Sequence, residues 1–220
     1  VSSSSVKLVE LSRAADGAYV LERCALETLE AGWIVDGSIE KFDEVVAVIE
    51  RVIKKSGTKA KNVAMALPAS AVITKKIVLP AGLSERELEV QVESEANQYI
   101  PFSLDEVSLD FCVIGPSPSS DEDEEVLIAA SRKEKVAERQ ELAEMAGLKP
   151  VVLDIESYAA RAVAMNQIQR LPNQGKDLIV ALFEMGSMST TLQVLQNGQL
   201  LYERDQVFGG AQLTQLIVRQ

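Results

Sequence analysis

Residues 182–195, LFEMGSMSTTLQVL, decide the fold, because an apolar strand ends here in a tight loop of small and hydroxyl residues before a second apolar run. Residues 2–11, SSSSVKLVEL, start the chain with the same kind of loop running into a strand. In loops of this kind, backbone N–H groups and hydroxyls can turn toward an anion. One such loop near each end of the chain predicts two lobes that hold phosphate groups between them.

The spacing of apolar residues predicts strands and helices in mixed order, which is typical of an α/β protein. The predicted strands are residues 6–11, 19–26, 33–35, 62–67, 72–79, 107–114, 126–130, 151–153, 178–183, 191–195 and 200–204. The predicted helices are residues 41–54, 84–99, 131–147, 157–166 and 209–220. Asn197-Gly198 predicts a hairpin turn. The order β-β-β-α occurs near both ends of the chain and indicates an approximate internal duplication.

Local signals mark the segment 69–148 as a small α+β unit of its own. Ser84 with Glu87, and Ser131 with Glu134, have the spacing of capping boxes, so each pair predicts the start of a helix. Residues 115–125 contain prolines and serines followed by an acidic run, and we expect them to form a solvated loop tip.

The composition excludes several classes of function. A net charge of −11 disfavours binding to nucleic acid or to an anionic membrane surface. No apolar run approaches the roughly 20 residues of a membrane helix, so we expect no direct membrane insertion. The chain has no His, and Cys24 and Cys112 are its two cysteines, which argues against His-based catalysis and Cys-rich zinc sites. Such sparing use of cysteine is typical of a cytoplasmic protein.

Three loops supply candidate ligands for phosphate. Glu184 ends an apolar strand, where its carboxylate can hold a hydrated Mg²⁺; an exposed acidic strand end is the alternative. Gly209-Gly210 lets a helix N-terminus approach an anion, and an ordinary loop is the alternative. A serine-rich start without a ligand is the alternative for the first loop. The candidate nucleotide-binding residues are Ser3, Ser4, Ser5, Lys7, Glu184, Gly186, Ser187, Gly209 and Gly210.

A separate apolar cluster lies at the predicted end of the helix 84–99. Tyr99, Ile100, Pro101 and Phe102 put apolar bulk where a helix passes into a loop. Such a cluster belongs either to the core or to a groove that docks a peptide, and the residues leave both possibilities open.

Three stretches resemble the actin-like ATPases and, more narrowly, the type IV pilus assembly protein PilM family, a relative of FtsA. They are residues 1–11, residues 95–104 (EANQYIPFSL) with Asp110-Phe111, and residues 183–192 with residues 208–214 (FGGAQLT). The resemblance implies an α/β, actin-like ATPase (ribonuclease H-like) fold with an inserted FtsA-type α+β subdomain. It also implies that the sequence is a fragment that lacks part of the second lobe.

The same resemblance implies a division into subdomains. Residues 1–68 and 149–172 correspond to actin-like subdomain 1A, residues 69–148 to the inserted subdomain 1C, and residues 173–220 to the start of the second lobe, subdomain 2A. ATP and Mg²⁺ are expected between the lobes. A groove between subdomains 1A and 1C, near Tyr99, Ile100, Pro101 and Phe102, is expected to bind the cytoplasmic N-terminal tail of PilN.

The implied function is that of a cytoplasmic, nucleotide-binding scaffold, recruited to the inner membrane through PilN and other proteins of the type IV pilus platform. The resemblance leaves catalysis open, with a weak ATPase as the upper bound. The superfamily usually carries Asp where this chain has Glu184, and the longer side chain displaces an aligned metal–water arrangement. The alternatives within the superfamily are an ATP-dependent phosphotransferase and a filament-forming cytoskeletal protein.

Overall fold

The computed structural model describes residues 1–35 and 37–219, and the chain divides into two compact units. Unit 1 comprises Val1–Ala66 and Leu142–Gln220, and unit 2 comprises Leu67–Glu141. Unit 2 is therefore an insertion, because the chain leaves unit 1 and later returns to it. The finer division of unit 1 at residue 173 stays a prediction.

Unit 1 begins with two antiparallel hairpins and a helix. The elements are β1 (Ser5–Arg13), β2 (Tyr19–Thr28), β3 (Ile34–Val35), β4 (Ser38–Ile39), α1 (Phe42–Ser56) and β5 (Asn62–Leu67). β1 pairs with β2, and β3 pairs with β4. Helix α1 contributes Val45, Val48 and Val52 to the core of unit 1. Gly57 ends the helix with a φ of 65°, so the predicted stop is confirmed.

Unit 2 is a three-stranded antiparallel sheet with helices. Its elements are β6 (Val72–Pro80), α2 (Glu85–Tyr99), β7 (Val107–Ser117), β8 (Ser120–Arg132) and α3 (Lys133–Met145), the last of which ends in unit 1. The strand order is β6-β8-β7. Leu88, Val92 and Ala96 form the buried face of α2 and pack into the same core as Val126 and Ile128 of β8.

The predicted loop tip at residues 115–125 is wrong, because the acidic run belongs to β8. In register, β6 pairs Leu79 with Glu124 and Val78 with Glu125. Lys76 forms an ion pair with Glu125, with Nζ 3.5 Å from Oε2. The backbone of the acidic segment can join the sheet because its hydrogen bonds do not depend on the side chains, which lie exposed or half-buried.

One of the two predicted capping boxes is present. The backbone N–H and the hydroxyl of Ser84 donate to Glu87 Oε2, at 2.8 and 2.6 Å. The second box, at Ser131, is wrong, because β8 continues through this residue and α3 begins at Lys133. The Ser131 hydroxyl donates instead to the carbonyl oxygen of Ala71 at 2.8 Å, an acceptor brought close by the fold.

The chain then completes unit 1. The elements are β9 (Lys149–Ile155), α4 (Glu156–Ile168), β10 (Ile179–Met185), β11 (Thr190–Gln196), β12 (Gln199–Gln206) and α5 (Gly210–Val218). β9 neighbours β5, and β10-β11-β12 form an antiparallel sheet. Asn197 and Gly198 have φ values of 52° and 78°, which confirms the predicted hairpin turn. The predicted extension of α5 to Gln220 lies partly outside the described residues.

Candidate functional site

The loop between β10 and β11 is a closed turn. The N–H of Gly186 donates to the carbonyl oxygen of Ser189 at 2.8 Å. Ser187 is half-buried, whereas Gly186 and Met188 are exposed. This turn holds Gly186 and Ser187, both predicted to bind phosphate, directly after the strand that carries Glu184.

The N-terminus of α5 holds this turn through backbone hydrogen bonds. The N–H of Gly210 donates to Gly186 O, and the N–H of Ala211 donates to Ser187 O, both at 2.9 Å. A Cβ atom on Gly209 would lie 2.5 Å from Ser187 O, so a glycine is required at this position. The sequence predicted that Gly209 and Gly210 let a helix approach a ligand. In the structure, Gly209 and Gly210 instead approach the backbone of the loop at Gly186 and Ser187.

Glu184 lies in a row of oxygen-bearing side chains across the sheet β10–β12. It pairs with Thr191 of β11, which in turn pairs with Asp205 of β12. The Thr191 hydroxyl donates to Asp205 Oδ1 at 2.6 Å. The sequence had not indicated Thr191 or Asp205 as site residues, because their place beside Glu184 depends on the register of three strands.

The electrostatics of Glu184 connect this row to the start of the chain. The residue is exposed by surface area, yet neighbouring atoms desolvate its carboxylate enough to raise its pKa, and the negative charge of Asp205 raises that pKa further. The positive charge of Lys7 acts in the opposite direction. Lys7 of β1 and Glu184 of β10 are therefore close enough to interact.

The serine-rich segment forms a turn that leads into β1. The N–H of Ser2 donates to Ser5 O at 2.9 Å, and Leu29 of the neighbouring chain segment donates its N–H to Ser4 O at 2.9 Å. Ser5 is buried at the start of β1. The hydroxyls of Ser3 and Ser4 are half-buried and have no hydrogen-bond partner among residues 1–35 and 37–219, so both can donate to a ligand.

The four residues of the predicted peptide patch have different environments within unit 2. Ile100 is buried in the core. Tyr99 is 44% exposed, and the Lys75 ammonium lies 4.8 Å from its ring centre. Phe102 is half-buried below the Arg132 guanidinium, 4.0 Å from the ring centre, and Pro101 is exposed. Tyr99 and Pro101 are therefore the members of the patch that a partner can reach most easily.

A family model described as type IV pilus assembly protein PilM matches residues 1–220. The chain belongs to the PilM family. A solved structure described as the PilM-PilN type IV pilus biogenesis complex is 30% identical and superposes with a TM-score of 0.82 over 100% of this chain. The match covers 63% of that chain, so the present chain spans less than two thirds of its length.

The ethanolamine utilization protein EutJ from Carboxydothermus hydrogenoformans is a more distant structural relative. It is 12% identical and superposes with a TM-score of 0.50 over 99% of this chain and 53% of its own, a likeness of fold alone. The predicted α/β, actin-like ATPase fold is confirmed by membership of the PilM family and by the superposition along the whole chain. None of the helices in the described part of the chain is long and apolar enough to cross a membrane.

The resemblance described in the sequence analysis implies a nucleotide and Mg²⁺, and the donor set of this chain is compatible with both. Glu184, Asp205 and Thr191 offer the oxygen ligands that Mg²⁺ prefers. Within the described ranges, no group of three acidic, Cys or His side chains is placed to hold a metal ion. A Mg²⁺ ion usually keeps several waters and uses one or two carboxylates, and the row at Glu184 fits that mode.

Proposed function

We propose that this PilM-family chain is a nucleotide-binding scaffold of the type IV pilus assembly platform, cytoplasmic and recruited to the inner membrane through partner proteins. The observation that carries the proposal is the superposition with a chain of the PilM–PilN complex, at 30% identity and a TM-score of 0.82 over the whole sequence. Identity at this level along the full chain, with agreement of the fold, supports a shared role in pilus assembly.

The proposed nucleotide is ATP with Mg²⁺. Ser3 and Ser4 would donate hydroxyls to the phosphates, and the ammonium of Lys7 would balance their charge. Glu184 would hold the hydrated ion, which neutralises phosphate charge when bound. The turn at Gly186 and Ser187 would lie against the phosphates, kept in place by the backbone bonds from α5.

Catalysis is expected to be slow or absent in this proposal. Activation of a water molecule needs a carboxylate or another base held at hydrogen-bond distance from it. Asp205 accepts the Thr191 hydroxyl, and the neighbouring Glu184 has a raised pKa, which weakens its preference for the ionised state. We therefore propose that ATP acts mainly as a ligand that shifts the population of conformations by binding one of them better.

The proposed partner is the N-terminal tail of PilN, with other inner-membrane platform proteins as further contacts. The tail would bind in a groove between subdomains 1A and 1C, near Tyr99, Ile100, Pro101 and Phe102. The local support is the exposure of Tyr99 and Pro101 at the end of α2. Tyrosine is one of the residue types enriched among the anchors of protein interfaces.

Isothermal titration of the full-length protein with a synthetic PilN tail peptide, with and without Mg-ATP, tests the proposal. Tyr99→Ala should weaken peptide binding about tenfold, as expected for an interface anchor. Tyr19→Ala is the matched control, because Tyr19 is an exposed tyrosine of unit 1, and its affinity should stay within about twofold of wild type.

The possible failures of this experiment are distinct. Absence of peptide binding in both conditions would remove PilN as the partner. Normal affinity of Tyr99→Ala would place the groove elsewhere. A peptide affinity that does not change with Mg-ATP, although ATP itself binds, would remove the nucleotide-dependent regulation.

A further inference from the structure

The central strand of the sheet β10–β12 carries a buried amide. Gln193 is 1% exposed. Its Nε2 donates to the carbonyl oxygen of Ser157, in the first turn of α4, at 2.9 Å, and to Glu203 Oε1 at 3.4 Å. Its Oε1 has no hydrogen-bond partner within residues 1–35 and 37–219. A buried amide that is only partly satisfied is less favourable than an apolar side chain of the same shape, so stability alone does not account for Gln193.

The position of Gln193 connects this amide with the candidate site. Residues two apart on a strand share a face, so Gln193 lies on the same face as Thr191. Thr191 is the residue between Glu184 and Asp205 in the cross-strand row. A shift of α4 relative to the sheet would therefore be transmitted to Thr191, the neighbour of Glu184, through the hydrogen bond between Gln193 and Ser157 and along strand β11.

The covalent connection between α4 and the sheet has an unusual backbone. It runs through residues 169–178, where Asn173, Gln174 and Asp177 have φ values of 53°, 56° and 64°. Non-glycine residues occupy this left-handed region only when their surroundings hold them there. The N–H of Asp177 donates to Asn197 Oδ1 at 2.8 Å, in the hairpin turn after β11. The bond from Gln193 to Ser157 spans this segment and so joins α4 to the sheet a second time.

We propose that Gln193 is a positioning residue that locks the sheet β10–β12 onto the first turn of α4 and so orients Glu184 for the nucleotide. This inference rests on the proposed function and deepens it, because it names a contact that couples the position of α4 against the sheet β10–β12 to the nucleotide site. Gln193 acts through Thr191 and the sheet, and it does not itself touch the nucleotide.

The experiment compares full-length wild type with Gln193→Met and Gln193→Asn. Methionine keeps the length and volume but removes the amide, and asparagine keeps the amide but is too short to reach Ser157. Gln199→Met, at an exposed position of β12, is the matched control. The readouts are Mg-ATP affinity by titration calorimetry and hydrogen exchange of residues 159–163, the first N–H groups with partners inside α4, with and without Mg-ATP.

We expect both Gln193 variants to bind Mg-ATP about tenfold more weakly, which corresponds to about 1.4 kcal/mol. They should also exchange the amides of residues 159–163 faster without nucleotide and lose the protection that ATP confers on them in wild type. The Gln199→Met control should behave as wild type in each readout.

Other results would overturn the inference. It falls if the variants lose thermal stability but keep wild-type ATP affinity and ATP-dependent protection, because the residue is then structural. Failure of both variants to fold leads to the same conclusion. If wild type does not bind Mg-ATP, the proposed nucleotide function falls. Hydrogen exchange without nucleotide then tests whether Gln193 holds the sheet against α4. Unchanged exchange rates in both variants overturn this contact role, and faster rates support it.

Discussion

Replacement of Gly209 by alanine tests whether α5 and the loop at residues 186–187 are held in direct backbone contact. The added Cβ would lie 2.5 Å from Ser187 O and 2.6 Å from Gly186 O. Both atoms belong to the backbone, so a side-chain rotation cannot relieve the overlap. The φ of Gly209 is −152°, which alanine adopts without strain, so any loss of stability comes from the contact.

The expected loss follows from two contributions. Overpacking in a tightly packed region costs about 1–3 kcal/mol. Separation of α5 from the loop would also break the bonds from Gly210 to Gly186 and from Ala211 to Ser187, each with a net value of about 0.5–1.5 kcal/mol. We therefore expect Gly209→Ala to lower the free energy of unfolding by about 2–6 kcal/mol.

Gly210→Ala is the control at the adjacent position. A Cβ there would meet Gly186 O at 3.8 Å, which is ordinary contact, and alanine is better than glycine in a helix by up to about 1 kcal/mol. Urea denaturation followed by the fluorescence of Trp33, the one tryptophan of the chain, reports on unit 1, because Trp33 packs against the core of that unit. Equal unfolding midpoints for the two variants would refute the close contact.

Two further predictions concern Glu184 and the core of unit 2. Because the pKa of Glu184 is raised in the folded state, its ionisation destabilises the fold as pH rises through that pKa. Glu184→Gln should therefore unfold at a higher temperature than wild type at pH 7. At about pH 3, where Glu184 is protonated in both the folded and the unfolded state, the two proteins should unfold at the same temperature. Calorimetry that shows a less stable variant at pH 7 would contradict this prediction. Val92→Ala removes a side chain that is 0% exposed and should cost about 1–3 kcal/mol in urea denaturation, whereas Val90→Ala, at a position 63% exposed in the same helix, should be neutral; similar losses in both variants would disprove the assigned packing of α2.

Features with nearby partners were predictable from the sequence. Ser84 and Glu87 are three residues apart, and their capping contacts form within one turn of helix. Gly57 ends α1, and Asn197-Gly198 closes the hairpin between β11 and β12, because both signals depend on the φ preferences of the residues themselves. For the same reason, Glu184 could be placed at a strand end beside a tight loop without knowledge of the rest of the fold.

Features with distant partners were predicted wrongly or missed. The acidic residues 121–125 have low strand propensity, yet β6, more than 40 residues earlier in the chain, pairs with their backbone on one side, and β7 pairs with part of the run on the other. Ser131 has the spacing of a helix cap, yet its hydroxyl bonds to Ala71, 60 residues away. Local pattern describes what a segment prefers on its own, and contact across the sheet overrides that preference.

The candidate site shows the same division. The sequence alone determined that two hydroxyl-rich loops and Glu184 occur at strand ends, because strand periodicity and small residues are local properties. Residue pairs counted outward from the Asn197-Gly198 turn in a regular hairpin would place Thr191 opposite Arg204. The irregularity at Val194/Leu195 shifts the register by one residue, so that Thr191 pairs with Asp205 instead. Only the tertiary structure decided that Asp205 and Lys7 act on Glu184, because register irregularities and contacts between distant segments arise from packing that no local window contains.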